Sequence, residues 1–311
     1  MSETIRIGHL NVDSPWGNAG GVVRSVEDVA MLARSGVGWI EAGSYTTDPR
    51  AGNNPRGEKV YVHNADQGYT ANSLGMPNKG IEVAVQQIPT MVEAAHAQNK
   101  PFIINVAPVS ADPAGESRRL VAKAMYAGAD AVLLNASCPN VETPDGSRSE
   151  VLSYSPGALK LTLNALRTIV DKKGQQIFIR VSPMIVADRC EETMSIIRES
   201  GSVSAVFTPN TWPIDGTLFG LQVNPEMGGL SGPYTKTQSC RETANAVRCL
   251  KGSAIDVVSS SGIMNGFELA TRMALGAVAG CGTTFFYESA EEGWSAATDR
   301  LLWEYTEAQT A

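Results

Sequence analysis

The chain has 311 residues, 43% of them hydrophobic, with 25 basic against 32 acidic side chains and a net charge of −7. That supplies a sizeable core and no basic block, which argues against nucleic acid or anionic membrane as the main partner. No apolar run approaches the ~20 residues of a membrane span, MSETIRIG has no signal-peptide core, and five scattered cysteines with three histidines suit neither a disulfide framework nor a metal site.

The expectation is a reduced, soluble, cytoplasmic protein. A first strand over residues 12–16 leads into NAGG (18–21), where small residues let backbone approach a ligand. Ser25, with Asp28 three residues on, starts a helix that Gly36 ends. A strand over 38–43 (GWIEAG) opens a polar segment, about 44–80, that is too long for an idle loop and holds a short hairpin near 60–62. Helix 81–98, strand 102–106, helix 117–127 and strand 131–134 follow. Next come a loop at about 139–156, helix 157–170, strand 177–181, helix 190–200 and strand 204–208. A Gly-rich stretch, about 211–235, interrupts the rhythm before helix 237–250, strand 255–259, helix 267–275, strand 277–281 and a closing helix over 290–305. This alternation reads as an α/β chain, a (β/α)8 barrel in a single domain over 1–311, with a doubly wound open sheet as the alternative.

The chemistry centres on AVLLNASCPN (131–140), an apolar run of a strand buried on both faces followed by Asn135, Ser137, Cys138 and Asn140. A buried Asn and Cys merely closing a strand is the competing reading of that stretch. Barrel enzymes build their active face from the loops after the strands. Those loops carry Ala19 and Gly20, then Gly43, Ser44 and Thr46, then Ser182, then Asn210 and Thr211. Small residues after the last two strands, Ser261-Gly262 and Gly282-Thr283, suit a phosphate site, and no GxGxxG fingerprint is present. A phosphate-bearing cofactor there, with amides facing it, suits a flavin mononucleotide (FMN) enzyme.

Four motifs in order, NAGG (18–21), ANSLGMPNKG (71–80), NASCPN (135–140) and GGLSGP (228–233), make the chain resemble the class one dihydroorotate dehydrogenases. The pyrimidine-reducing domain of dihydropyrimidine dehydrogenase is similar to a lesser degree. RAGNNPR (50–56), SSSGI (259–263) and GCGTT (280–284) add weaker support. The resemblance implies a homodimeric, FMN-binding barrel that oxidises dihydroorotate to orotate in pyrimidine biosynthesis, with Cys138 as the base that removes a ring proton. It implies substrate contacts at Asn72, Asn135, Asn140, Asn210 and Thr211, and a carboxylate met by the backbone of Leu74, Gly75 and Met76. It implies cofactor contacts at Ala19, Gly20, Gly43, Ser44, Asn105, Asn135, Arg180, Gly232, Ser261, Gly262, Gly282 and Thr283.

Two positions depart from the family. Gly43 stands where the resemblance calls for a lysine near flavin and substrate, and Arg180 replaces a second lysine at the flavin's pyrimidine edge. A lysine at 43 is expected to add a cation for the carboxylate, and Arg50 or Arg56 is the expected substitute. Two other readings stand beside dihydroorotate: another cyclic ureide or enone lacking the carboxylate, and a silent FMN-binding paralogue. The residues before the first strand are not expected to form a membrane-binding extension, which disfavours the quinone-using class. Fumarate, or NAD through an iron–sulfur partner subunit, remains open as electron acceptor.

Overall fold

The computed structural model describes residues 5–54, 56–137, 151–169, 175–184, 187–222 and 228–310. A hairpin of β1 (Ile5–Ile7) and β2 (Leu10–Val12) precedes β3 (Trp16–Asn18), α1 (Val26–Ala33) and β4 (Ile40–Tyr45). A second hairpin, β5 (Tyr61–Asn64) and β6 (Tyr69–Asn72), leads to α2 (Ile81–His96), β7 (Phe102–Val106), α3 (Pro113–Tyr126) and β8 (Ala131–Asn135). Then come α4 (Pro156–Arg167), β9 (Gln176–Arg180), α5 (Ala187–Ser200), β10 (Ala205–Thr208), β11 (Trp212–Ile214) and β12 (Gly228–Ser231). The last elements are α6 (Lys236–Leu250), β13 (Asp256–Ser260), α7 (Gly266–Ala274), β14 (Ala279–Gly282), α8 (Thr284–Glu288) and α9 (Trp294–Thr310).

Eight of these strands form one parallel sheet in the order β3-β14-β13-β10-β9-β8-β7-β4, and helices fill the crossovers between them. Its two ends meet through a side chain. Asn18 on β3 accepts a hydrogen bond from the Glu41 backbone N–H on β4 at 2.8 Å and donates to the Glu41 carbonyl at 2.6 Å. This amide does the work of a ladder pair, and the sheet curls into a (β/α)8 barrel rather than the open alternative.

Alternation along the strands divides the core. Ile40, Ile104, Val132, Leu134, Ile177, Ile179 and Val206 pack outward against the helices. Trp39, Ile103, Leu133, Phe178, Phe207, Val258 and Cys281 fill the barrel's interior. Strands buried on both faces are why these segments read as unbroken apolar runs.

Ser25 caps α1 through a full capping box with Asp28. Elsewhere the structure corrects the sequence reading. The first barrel strand is Trp16–Asn18, not 12–16, because Pro15 lacks a ladder donor and Val12 belongs to the preceding hairpin. That hairpin plugs the lower end of the barrel. Ile7 and Val12 join the interior cluster, and the N–H groups of Gly8 and His9 donate to Asp256 and Gln176, each at 2.6 Å. Asp112 caps α3 and starts it at Pro113, earlier than expected. The closing helix, expected over 290–305, is α9, which runs later, and a short helix not expected, α8, precedes it. The short hairpin near 60–62 is part of a four-stranded antiparallel sheet, β11-β12-β6-β5, that joins the two long polar segments.

Candidate active site

A cavity of about 540 Å³ opens at the C-terminal end of the barrel strands. Its wall takes Ala19 and Gly20 from after β3, Gly43 and Ser44 from β4, Asn135 from β8 and Arg180 from β9. Asn210 and Thr211 follow β10, Gly232 follows β12, Ser261 and Gly262 follow β13, and Gly282 and Thr283 follow β14. Asn72, Leu74, Gly75 and Met76 complete it from the β6 side. Cys138 and Asn140 lie outside the described residues. Among the described residues expected to contact substrate or cofactor, Asn105 alone stays off the wall; it is wholly buried behind Gly20.

The amide end is tied together by Ser137. Its hydroxyl donates to Asn135 Oδ1 and accepts from Asn210 Nδ2, both at 2.7 Å. Ser182 donates to its carbonyl at 3.2 Å, so three strand ends hold the residue that immediately precedes Cys138. Asn135 Nδ2 also reaches Ser44 Oγ at 3.1 Å. Thr211 has room only because residue 229 is glycine, since a β-carbon there would collide with the threonine side chain. Gly229, the second glycine of GGLSGP, therefore pairs with Asn72 on β6 and makes space for Thr211 in one stroke.

The strip of Leu74, Gly75 and Met76 is buttressed by the RAGNNPR segment. Asn53 N–H donates to Leu74 O at 2.9 Å, Arg50 Nε donates to Gly75 O at 3.2 Å, and Asn78 Nδ2 donates to Met76 O at 2.9 Å. Arg50 lines the cavity and spends only Nε on this contact among the described residues. Arg56 is exposed and off the wall, so of the two expected substitutes only Arg50 is placed to meet a ligand.

Gly43 corrects a further expectation. Its φ is +113°, and a β-carbon there would lie 2.5 Å from the Asn105 carbonyl oxygen and 3.1 Å from the Tyr45 ring. Residue 43 here cannot carry a lysine without moving backbone.

Below the cavity floor the structure reveals a group that the sequence reading missed. Glu41 is 0% exposed and Arg180 is 4% exposed. Arg180 donates from Nη1 to Glu41 Oε1 at 2.6 Å and from Nη2 to Oε2 at 2.8 Å, a two-point pair. Asn105 Nδ2 adds a bond to Oε1 at 2.7 Å. Phe207 lies beneath the guanidinium, 5.4 Å from its ring centre. Burial works against the Arg180 charge, but Glu41 outweighs it and holds the guanidinium above the ordinary arginine value. Beside the pair, burial pushes the Cys281 thiol up to about 12. The sequence did carry a signal: one acid inside GWIEAG and one base inside QIFIRV, each in a strand otherwise apolar.

At the glycine-rich end, Ser261 and Gly262 are both left-handed, with φ of +65° and +70°. A serine there is held against its preference. Its hydroxyl pairs with Thr235 Oγ1 at 2.9 Å, and its carbonyl accepts from Ser239 Oγ at 2.8 Å and Arg272 Nη2 at 3.2 Å. Thr235, Ser239 and Arg272 are supports that the sequence did not point to.

Comparison with known proteins agrees with this geometry. The family model described as Dihydroorotate dehydrogenase matches residues 3–292. A curated relative from Delftia acidovorans, named dihydroorotate dehydrogenase (quinone), is 25% identical over 89% of this chain and 79% of its own. One of the same name from Xylella fastidiosa is 28% identical over 86% and 75%. These names carry the family but not the class one assignment. Among solved structures, DHODH from Eimeria tenella in complex with ferulenol shares the fold, with a TM-score of 0.79, 19% identity, and coverage of 99% of this chain and 84% of that one. The chain belongs to the dihydroorotate dehydrogenase family, oxidoreductases acting on a CH–CH bond.

Proposed function

We propose that the protein binds FMN in this cavity and oxidises dihydroorotate to orotate. The observation that carries the reading is the division of one cavity into two ends. Amides and Arg50 stand at one end, and small residues on turned backbone stand at the other. The residues fit FMN. Arg180 lines the cavity with its Nε–H making no hydrogen bond to any described residue, a donor of the kind a flavin ring acceptor satisfies. The Ser261–Gly262 turn and the Gly282–Thr283 loop are suited to a phosphate. Ala19, Gly20, Gly43, Ser44, Arg180 and Gly232 would line the rest. Bound FMN supplies the acceptor for a hydride.

Asn72, Asn135, Asn210 and Thr211 offer both donors and acceptors to a cyclic ureide, and Asn140 is proposed to join them. Arg50, beside the Gly75 strip, is proposed to face the carboxylate, which favours dihydroorotate over a carboxylate-free ring. Cys138 is proposed to take the ring proton as general base; Ser137, the residue before it in sequence, is anchored by Asn135 and Asn210. A cysteine in that place is the class one residue by resemblance, so a soluble acceptor rather than quinone is the proposed oxidant. Among the described residues no helix is long and apolar enough to cross a membrane.

The purified protein is expected to be yellow and to yield FMN in near-equimolar amount on denaturation. A colourless protein that takes up no FMN on reconstitution would defeat the reading. Cys138→Ala is expected to keep flavin and to bleach it about 10²–10⁴-fold more slowly with dihydroorotate. Unchanged bleaching would reduce Cys138 to packing.

A further inference from the structure

Arg180 lines the cavity from the end of β9, and it does not stand alone. Its two terminal nitrogens both go to Glu41, so the fork is oriented end-on to the carboxylate. Nε makes no hydrogen bond to any described residue. Glu41 has no exposed surface, and Asn105 is its only other side-chain donor among the described residues. A carboxylate in this position cannot be screened by water, so its charge acts on Arg180 and on whatever lies against it.

We propose that Glu41 is a positioning residue that sets the charge presented to the cofactor ring. It locks Arg180 and cancels its cation, and the pair thereby tunes the reduction potential of the bound flavin. The proposal rests on the FMN reading above. A ring that takes up two electrons gains negative charge, which a lone buried cation favours and a lone buried anion opposes. A matched pair does neither strongly. The chain thus keeps the arginine's shape at the ring edge while withholding most of its charge. That withholding makes the reduced state less favoured, and electrons easier to pass on.

The sign follows for each variant. Glu41→Gln uncovers the Arg180 charge and raises the two-electron potential, with the reduction equilibrium shifting at least tenfold, about 30 mV for a two-electron couple. Glu41→Gln/Arg180→Met removes both charges and returns the potential to less than that distance from wild type. Arg180→Met alone leaves the carboxylate, and its potential falls below that of the double variant. This arm decides the matter if Glu41→Gln does not fold.

The experiment is equilibrium reduction of each FMN-loaded variant against a reference dye, from about pH 6 to pH 9, alongside FMN dissociation constants. A purely structural Glu41 would lower thermal stability and leave the potential within the wild-type error, which overturns the proposal while the flavin reading stands. Coincident potentials for Arg180→Met and the double variant at every pH overturn it equally. A wild-type chain that binds no FMN overturns the flavin reading, and the proposal with it.

Discussion

Arg180 and Arg272 are both buried, 4% and 0% exposed, yet they are held in opposite ways. Arg180 has a carboxylate matched to it at two points. Arg272 has only neutral oxygens within hydrogen-bond reach: Ser239 Oγ at 2.6 Å, Ser261 O at 3.2 Å and Lys236 O at 3.3 Å, with Nε and Nη1 unpartnered among the described residues. Burial pulls Arg272 below the ordinary arginine value, against Cys240 and Glu268, while Glu41 carries Arg180 above it. The difference maps onto the cavity. Beneath the floor the cation is cancelled, whereas behind the Ser261–Gly262 turn it is left to act through the backbone that it holds. On the FMN reading, that leaves the ring end of the site near-neutral and the phosphate end positive.

The comparison breaks most visibly at Glu41. Removing one partner of a buried ion pair costs about 3–5 kcal/mol, because the other charge is stranded. Glu41→Gln is expected to lower the denaturation midpoint by that order, and Glu41→Gln/Arg180→Met to recover most of it. Equal losses in single and double variants would mean that the pair is not a unit. Next in size is Arg50, which lines the cavity beside the Gly75 strip with no ion pair among the described residues. A charge-assisted bond to a carboxylate is worth roughly 1.5–3 kcal/mol, so Arg50→Gln should weaken orotate binding about 10- to 150-fold. Binding unchanged in flavin difference spectra would favour a substrate without a carboxylate.

Arg272→Met strands no countercharge and is expected to cost about 1–3 kcal/mol, less than Glu41→Gln. Its sharper signature is selectivity. Affinity for FMN should fall while affinity for riboflavin, which lacks the phosphate, should hold. Parallel losses for both ligands would assign Arg272 to packing alone. The smallest effect belongs to the exposed pair of Lys123 with Glu82, where neutralising Lys123 should change stability by less than about 1 kcal/mol. A larger change would show that exposed charges matter here as much as buried ones.

The barrel was legible because its strands are buried on both faces, so FIINV, AVLLN and QIFIR stand out as apolar runs. The amides were legible because they follow those runs at strand ends. The four-stranded sheet was not, since its pairings, such as Asn72 with Gly229, join residues far apart in sequence and leave no local period. Pairing across the barrel hid the role of Glu41 in the same way. Its charge was visible in GWIEAG, but its partner lies on β9, three strands along the sheet order from β4 and 139 residues away in sequence. Gly43 taught the converse lesson. Read as a missing lysine, it is instead a backbone position that no side chain can occupy without displacing the Asn105 carbonyl.

The most direct test is an anaerobic titration of the FMN-loaded protein with dihydroorotate, followed by flavin absorbance and by orotate released. The account predicts that the flavin bleaches fully, that orotate appears in equal amount, and that both processes are lost together in Cys138→Ala. A flavin that stays oxidised in excess dihydroorotate, while dithionite bleaches it normally, would contradict the assignment of this cavity to dihydroorotate oxidation.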